Sequence, residues 1–406
     1  MNTVLNDSYP VIIIGASIAG CTAACLYANR GVKVLLLDKT SSLENYKTHC
    51  THFVQPCGSP VLRKVGVYED IDRLGMKSKA RFWTSAGWIE SKTDSYSNNE
   101  YAINLERSRF DPYIKKKVKD HPLIDISLNS KVEKTDYDAT SGEYSVGFNR
   151  GSEHITKKAR LVVAADGRHS TVAGILKNEA TVYPNERFVY FGYYKNLPHY
   201  DRKFSDFWVL GKHMAFIYPL LDNHSLIALF IHESEKQKWK RDLQNSFTEL
   251  VASLPDGPDI SVAEPAGPIR GMSDIRSFHR SPLHATTPFI GDAVLSLDPA
   301  AGTGCSFALL SADWLVEHTT EALHDREELL NGLEQYASQH TDFMSPHIKG
   351  ITADSRVTKD INVDKKFYAT VIESDELKEA FFDLGGRLIS PKDFQKLFIK
   401  NAFAHS

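Results

Sequence analysis

Cysteine is scarce in this sequence, with only Cys21, Cys25, Cys50, Cys57 and Cys305 among 406 residues. A sparse, odd set reads as reduced thiols and excludes a disulfide framework. Charge of one sign is also lacking: 48 Lys and Arg face 51 Asp and Glu, for a net of -3. Such a balance argues against an electrostatic footprint for nucleic acid. No run approaches the roughly 20 apolar residues that cross a bilayer. The opening stretch, MNTVLNDSYPVIIIG, lacks a basic start, and its apolar run is too short for an export signal. Repeats and low-complexity segments are missing. Together these absences predict a cytoplasmic globular protein with no nucleic-acid partner and no transmembrane segment. The cluster His49-Cys50-Thr51-His52, with Cys57 nearby, does not have zinc-site spacing, so no metal is expected.

What is present is a nucleotide-binding pattern. Val11–Ile14 is a continuous apolar run, as a buried parallel strand would be. It leads into Gly15-Ala16-Ser17-Ile18-Ala19-Gly20, a helical stretch, and a second apolar run from Lys33 to Leu37 that ends in Asp38. This is a βαβ unit of dinucleotide-binding length. Gly15 permits the tight turn, Gly20 lets the helix pack close to the strand, and the helix start offers free N–H groups to a pyrophosphate. Ser17 replaces the middle glycine of the usual pattern. Asp38 is placed to accept hydrogen bonds from a ribose diol. The expected cofactor contacts here are Gly15, Ser17, Ile18, Ala19, Gly20, Asp38 and Lys39.

Two later segments extend the pattern. Leu161–Ala165 is another apolar run, ending in Asp166-Gly167-Arg168-His169-Ser170. Pro288-Phe289-Ile290 leads into Gly291-Asp292-Ala293, followed by Pro299-Ala300-Ala301-Gly302-Thr303-Gly304 and a further helix. In this order, and with Arg107 opening a helix between them, the segments resemble the FAD-dependent monooxygenases of the p-hydroxybenzoate hydroxylase type. Flavin-dependent halogenases and geranylgeranyl reductases are related to that group. The resemblance covers about residues 10 to 320. It implies a Rossmann-type FAD-binding domain with Arg107 along the ribityl chain and Asp166-Gly167 beside the pyrophosphate. Gly291 and Asp292 would hold the ribityl–pyrophosphate linker, with Pro299, Gly302, Thr303 and Gly304 beside the isoalloxazine ring. Ala173 and Leu295 stand where the family often carries arginine and histidine.

Residues 186–232 are rich in aromatic and β-branched side chains, with turn chemistry at Leu221-Asp222-Asn223-His224. They predict an antiparallel sheet, joined by 80–90, which the resemblance lays over the flavin as the substrate layer. The fold class is therefore α/β: FAD-binding segments at 8–79, 105–185 and 266–325, substrate-sheet segments at 80–104 and 186–265, and a helical region at 326–406. Ser390-Pro391 is a sound helix start, with Phe394, Leu397 and Phe398 forming a docking face. His52 is the one catalytic candidate. The resemblance implies NAD(P)H and O2 as co-substrates and hydroxylation or epoxidation of a small apolar or aromatic molecule through a flavin hydroperoxide. Halogenation, flavin-dependent dehydrogenation or reduction, and a non-catalytic flavin-binding role remain open alternatives. The halogenase W-x-W-x-I-P signature is absent; Trp83 and Trp88 sit in W-x-x-x-x-W-I.

Overall fold

The computed structural model describes residues 5–198, 201–356 and 361–404, apart from the side chains of 361 and 402–404. The apolar runs form a six-stranded sheet. Its order is Ile124–Ser127, Val34–Leu37, Ser8–Ile14, Glu153–Ala164, Glu143–Arg150 and Ser130–Asp138. The first four strands are parallel to one another, and the last two join through successive antiparallel pairings. Parallel strands covered on both faces need apolar side chains on both, which is why Val34–Leu37 is buried throughout. Helix Ile18–Asn29 lies against helix Gly304–Thr319 and is buried from Ile18 to Ala28. A helix enclosed on all sides needs no polar stripe. Of the run Pro288-Phe289-Ile290 only Pro288 lies in a strand, the two-residue Thr287–Pro288. A single parallel bridge sets Phe289 opposite Ala164, and Gly291, at φ +58°, then turns the chain away.

A second sheet carries the aromatic segments. From one edge it runs Glu264–Pro265, Arg187–Lys195, His224–His232, His213–Pro219, Phe204–Leu210, Gly75–Thr84, Ala102–Leu105 and Phe53–Val54. The expected turn is present: Asp222 and Asn223 both have positive φ, and the His224 N–H bonds the Leu221 carbonyl. This two-residue geometry matches the twist of a hairpin. The sheet is not antiparallel throughout. Phe204–Leu210 pairs in parallel with Gly75–Thr84, because the long connection between them brings the chain back in the same direction. Two short strands from outside the expected substrate segments, Phe53–Val54 and Arg270–Met272, also pair into it.

Both faces of this sheet are covered. Helices Lys236–Arg241 and Leu243–Ala252 set Trp239 and Phe247 against Trp208 and Ile227 on one side. On the other, the C-terminal helices Ile361–Glu373, Asp375–Gly385 and Pro391–Ala404 pack phenylalanines on Phe82, Phe207 and Phe216. The docking face is as expected, with Phe394 buried and Leu397 and Phe398 partly so. Ser390 Oγ accepts the Asp393 N–H at 3.1 Å, which caps that last helix. Among the described residues no helix is long and apolar enough to cross a membrane.

Candidate cofactor and active site

The glycine-rich loop is shaped by contacts that only glycine permits. Gly15 has φ +109°, and a Cβ there would lie 2.3 Å from the Ala165 carbonyl oxygen. A Cβ on Gly20 would lie 1.8 Å from the Gly15 oxygen. Ser17 precedes the helix, but its hydroxyl makes no capping bond and instead accepts from Arg107 Nη2 at 3.0 Å. The first N–H groups of the helix therefore remain available to an anion. Asp38 braces this loop, accepting the Ala16 N–H at 2.6 Å and the Thr40 N–H at 2.7 Å. Lys39 beside it is exposed.

From this helix start a cleft of about 550 Å³ runs past Arg107 and Asp292 to the turn at Pro299–Cys305. Ser17, Ile18, Ala19, Arg107, Gly167, Asp292, Pro299, Gly302, Thr303 and Gly304 line it, so segments distant in sequence converge on one space. Gly15, Gly20, Asp38, Lys39, Asp166 and Gly291 stand outside the lining. Asp166 is turned to its own helix start, where it accepts from Ser170 Oγ at 2.6 Å and from the Thr171 N–H at 2.6 Å. Gly291 packs on the fingerprint helix; a Cβ there would meet Ala19 at 2.7 Å.

Charge in the cleft is arranged in pairs. Arg107 is buried and forked onto Asp111 at 2.6 and 2.9 Å. Asp292 receives Lys47 Nζ at 2.8 Å, and its carboxylate raises the lysine pKa. Arg168, also in the lining, donates to Ser296 Oγ at 3.0 Å.

At the far end, Asp298 caps the short turn Pro299–Ala301 and holds Arg187 at 3.2 Å. Gly302, at φ +62°, then turns the chain against Phe53, and helix Gly304–Thr319 begins with no side-chain cap. Its start presents a second partial positive charge to the cleft. Cys305 lies in its first turn, 3.8 Å from Cys50. Phe53, Phe191, Met272, Ile275 and Leu297 give this end an apolar wall.

His52 does not line the cleft; it sits behind Cys50, 3 % exposed, with φ +61°. Its Nδ1 accepts the Arg107 N–H at 3.2 Å. The neutral ring therefore carries its proton on Nε2 and donates to the Tyr193 oxygen at 2.6 Å. Thus His52 ties the Arg107 helix to the second sheet. Lys47, Cys50, Arg168, Met272 and Ile275 are lining residues that sequence reasoning did not single out as cofactor contacts.

A family model described as an FAD binding domain matches residues 8–344. The chain belongs to this FAD-binding family. It is an FAD-dependent oxidoreductase related to flavin monooxygenases, and FAD is its cofactor. It is 21% identical over 352 residues to the kynurenine 3-monooxygenase of Legionella pneumophila (strain Lens), covering 82% of this chain and 77% of that one. It is 22% identical to digeranylgeranylglycerophospholipid reductase 2 of Methanosphaera stadtmanae, covering 96% and 95% respectively. Among solved structures, p-nitrophenol 4-monooxygenase PnpA of Pseudomonas putida DLL-E4 superposes with a TM-score of 0.74. The match covers 95% of this chain and all of that one at 17% identity. The cleft suits the family cofactor on its own chemistry. Two uncapped helix starts face it, the glycine turns keep it open, and Gln55 Oε1 is buried near Gly302 with no hydrogen-bond partner among the described residues.

Proposed function

We propose that this flavoprotein is a monooxygenase that uses NAD(P)H and O2 to hydroxylate or epoxidise a small apolar or aromatic molecule. The observation that carries this reading is the meeting of an anion-suited cleft with an apolar wall drawn from the second sheet. Bound FAD would supply the electron transfer and oxygen activation. Ser17–Gly20 and Gly167 would hold its pyrophosphate, and Asp38 with Lys39 its adenosine end. Arg107 and Asp292 would hold the ribityl chain, and Pro299 with Gly302–Gly304 the ring. Phe191, Met272 and Ile275 would orient the substrate and exclude water from it. In this reading residues 8–79, 105–185 and 266–325 serve the cofactor and the second sheet serves the substrate, in a cytoplasmic enzyme.

A second reading is reduction in the manner of the digeranylgeranylglycerophospholipid reductases. The likeness to such a reductase spans 96% of this chain, whereas the family model stops at residue 344. Halogenation has less support: Trp83 and Trp88 pair across a hairpin on the far face of the sheet, with Trp88 packed edge-on to Trp208. The deciding experiment is turnover of a panel of aromatic and isoprenoid compounds with NADH or NADPH under labelled O2. Label in the product, with NAD(P)H oxidation stimulated by substrate, is expected. Product formed without oxygen, and carrying none, would replace this reading with the reductase.

A further inference from the structure

We propose that Cys50 and Cys305 form a peroxide-sensitive dithiol in the wall of the cofactor cleft, closing to a disulfide that ties segment 39–52 to helix Gly304–Thr319. The two residues are 255 positions apart, yet their sulfurs lie 3.8 Å from each other and both face the cleft. A disulfide needs about 2.05 Å, so the sulfurs must approach by roughly 2 Å. Cys50 lies in a stretch without helix or strand, which can supply that movement. Cys305 is anchored in the first turn of its helix.

The surroundings make Cys50 the attacking sulfur. It receives the His52 N–H at 3.3 Å, and the Arg107 guanidinium stands 3.9 Å away. The hydrogen bond from Cys305, with these neighbours, draws the Cys50 thiol well below its usual range. Cys25 and Cys57 show the opposite behaviour, burial pushing each up to about 12. A thiolate beside a cation is the reactive form of cysteine.

The chemistry balances with a peroxide as oxidant. The Cys50 thiolate attacks one peroxide oxygen; the S–O bond forms, the O–O bond breaks, and the leaving oxygen takes a proton as water. The Cys305 sulfur then attacks the sulfenic sulfur; the S–S bond forms, the S–O bond breaks, and a second water leaves with the remaining proton. Two thiols are oxidised and one peroxide becomes two waters. Nothing in these steps depends on the hydroxylase reading.

The test uses the full-length protein with its flavin bound, treated with hydrogen peroxide, alkylated and digested for mass analysis. Wild type is expected to give a Cys50–Cys305 cross-linked peptide lighter by two hydrogens, reversed by dithiothreitol, while Cys57 stays free. In Cys305→Ser, dimedone is expected to trap a sulfenic acid on Cys50; in Cys50→Ser, Cys305 is expected to remain a thiol. The FAD dissociation rate should fall on oxidation of wild type and not of Cys305→Ser. Absence of the cross-link, or oxidation of Cys57 as fast as Cys50, would overturn the proposal.

Discussion

Two of the helix starts at the cleft, those of Ile18–Asn29 and Gly304–Thr319, are braced in different ways. Neither has a side-chain cap, so both leave N–H groups open to a ligand. The two helices pack along each other and are joined at their far ends by Tyr27 and Thr319, whose hydroxyls are 2.5 Å apart. The first start is held by charge: Arg107 on Ser17, Asp111 on Arg107, Asp38 on the Ala16 N–H. The second carries no charge in its own first turn, where Phe53 lies against Gly302, Cys50 against Cys305, and Ser306 Oγ accepts the Gln55 N–H; the buried Asp298–Arg187 pair sits just before it, at Pro299–Ala301. In the proposed reading, a polar brace suits the end that would receive the charged linker, and a largely apolar surround suits the end where a planar ring would lie away from water.

The largest expected effect falls on the charged brace. Asp111→Ala leaves the Arg107 guanidinium buried without its carboxylate, and breaking a buried pair costs about 3–5 kcal/mol. Urea unfolding of the variant should show that loss; a cost below about 1 kcal/mol would mean that Arg107 finds water or another partner.

Acid should act on the other helix. His340 and His347 are buried against Trp314 and Phe307 of Gly304–Thr319. Burial, with His279 near the first and Arg387 near the second, lowers them to about 4 and about 3. Between those values and the ordinary value of about 6.5, the unfolded chain binds protons that the folded chain does not. Stability contributed by these neutral rings is therefore full above about pH 6.5 and lost as pH falls toward 4. The slope is about 1.4 kcal/mol per pH unit for each histidine. Unfolding at pH 6 and pH 5 should differ by about 2–3 kcal/mol in wild type, and by about half that in His347→Leu. An unchanged slope in the variant would show that its ring already titrates in the folded protein.

The glycines sharpen the comparison further. Gly20→Ala forces a Cβ onto the Gly15 backbone, an overpacking expected to cost roughly 1–3 kcal/mol and to weaken FAD binding with it. A Cβ on Gly304 meets nothing within 4 Å, although Gly304 lines the cleft. Gly304→Ala should leave stability within about 0.5 kcal/mol of wild type, so that any fall in FAD affinity measures intrusion on the cofactor. Equal behaviour of the two variants in thermal unfolding would erase the distinction between the helix starts.

The same contrast explains what was legible in the sequence. Strand, glycine turn and helix at 11–29 follow one another along the chain, and the local pattern dictates them. The hairpin turn at Asp222-Asn223 and the capped helix at Ser390 are likewise local. The partners of the second helix start come from 50–55, about 250 residues earlier, and nothing in either segment advertises the other. The parallel pairing of Phe204–Leu210 with Gly75–Thr84 was hidden for the same reason, since alternation shows a strand but not its neighbour's direction. Asp166 and Asp38 show a different limit. Composition marks them as acidic residues near a phosphate-binding loop, yet their carboxylates are spent first on backbone N–H groups of this protein.

A similarly small effect on stability is expected for Lys47 and Asp292, the one ion pair among the described residues that crosses the cleft between two lining segments distant in sequence. Its side chains are 48% and 24% exposed, so water screens the pair and its contribution to folding is about 0–1 kcal/mol. Asp292→Ala should therefore unfold almost as wild type does. Its effect on the cofactor separates two roles. If Asp292 serves only to anchor Lys47, then Lys47→Ala and Asp292→Ala will weaken FAD binding equally, and the double variant will lose no more than either single one. If Asp292 bonds the linker itself, its loss should cost roughly 1.5–3 kcal/mol of binding, about ten-fold or more in affinity. Lys47→Ala would then leave the carboxylate freer and FAD affinity at or above wild type. Titration of FAD into the three apo-proteins, alongside their unfolding curves, reads both quantities. We expect the second pattern, because a carboxylate fully committed to a half-exposed lysine would gain little from standing in the cleft wall.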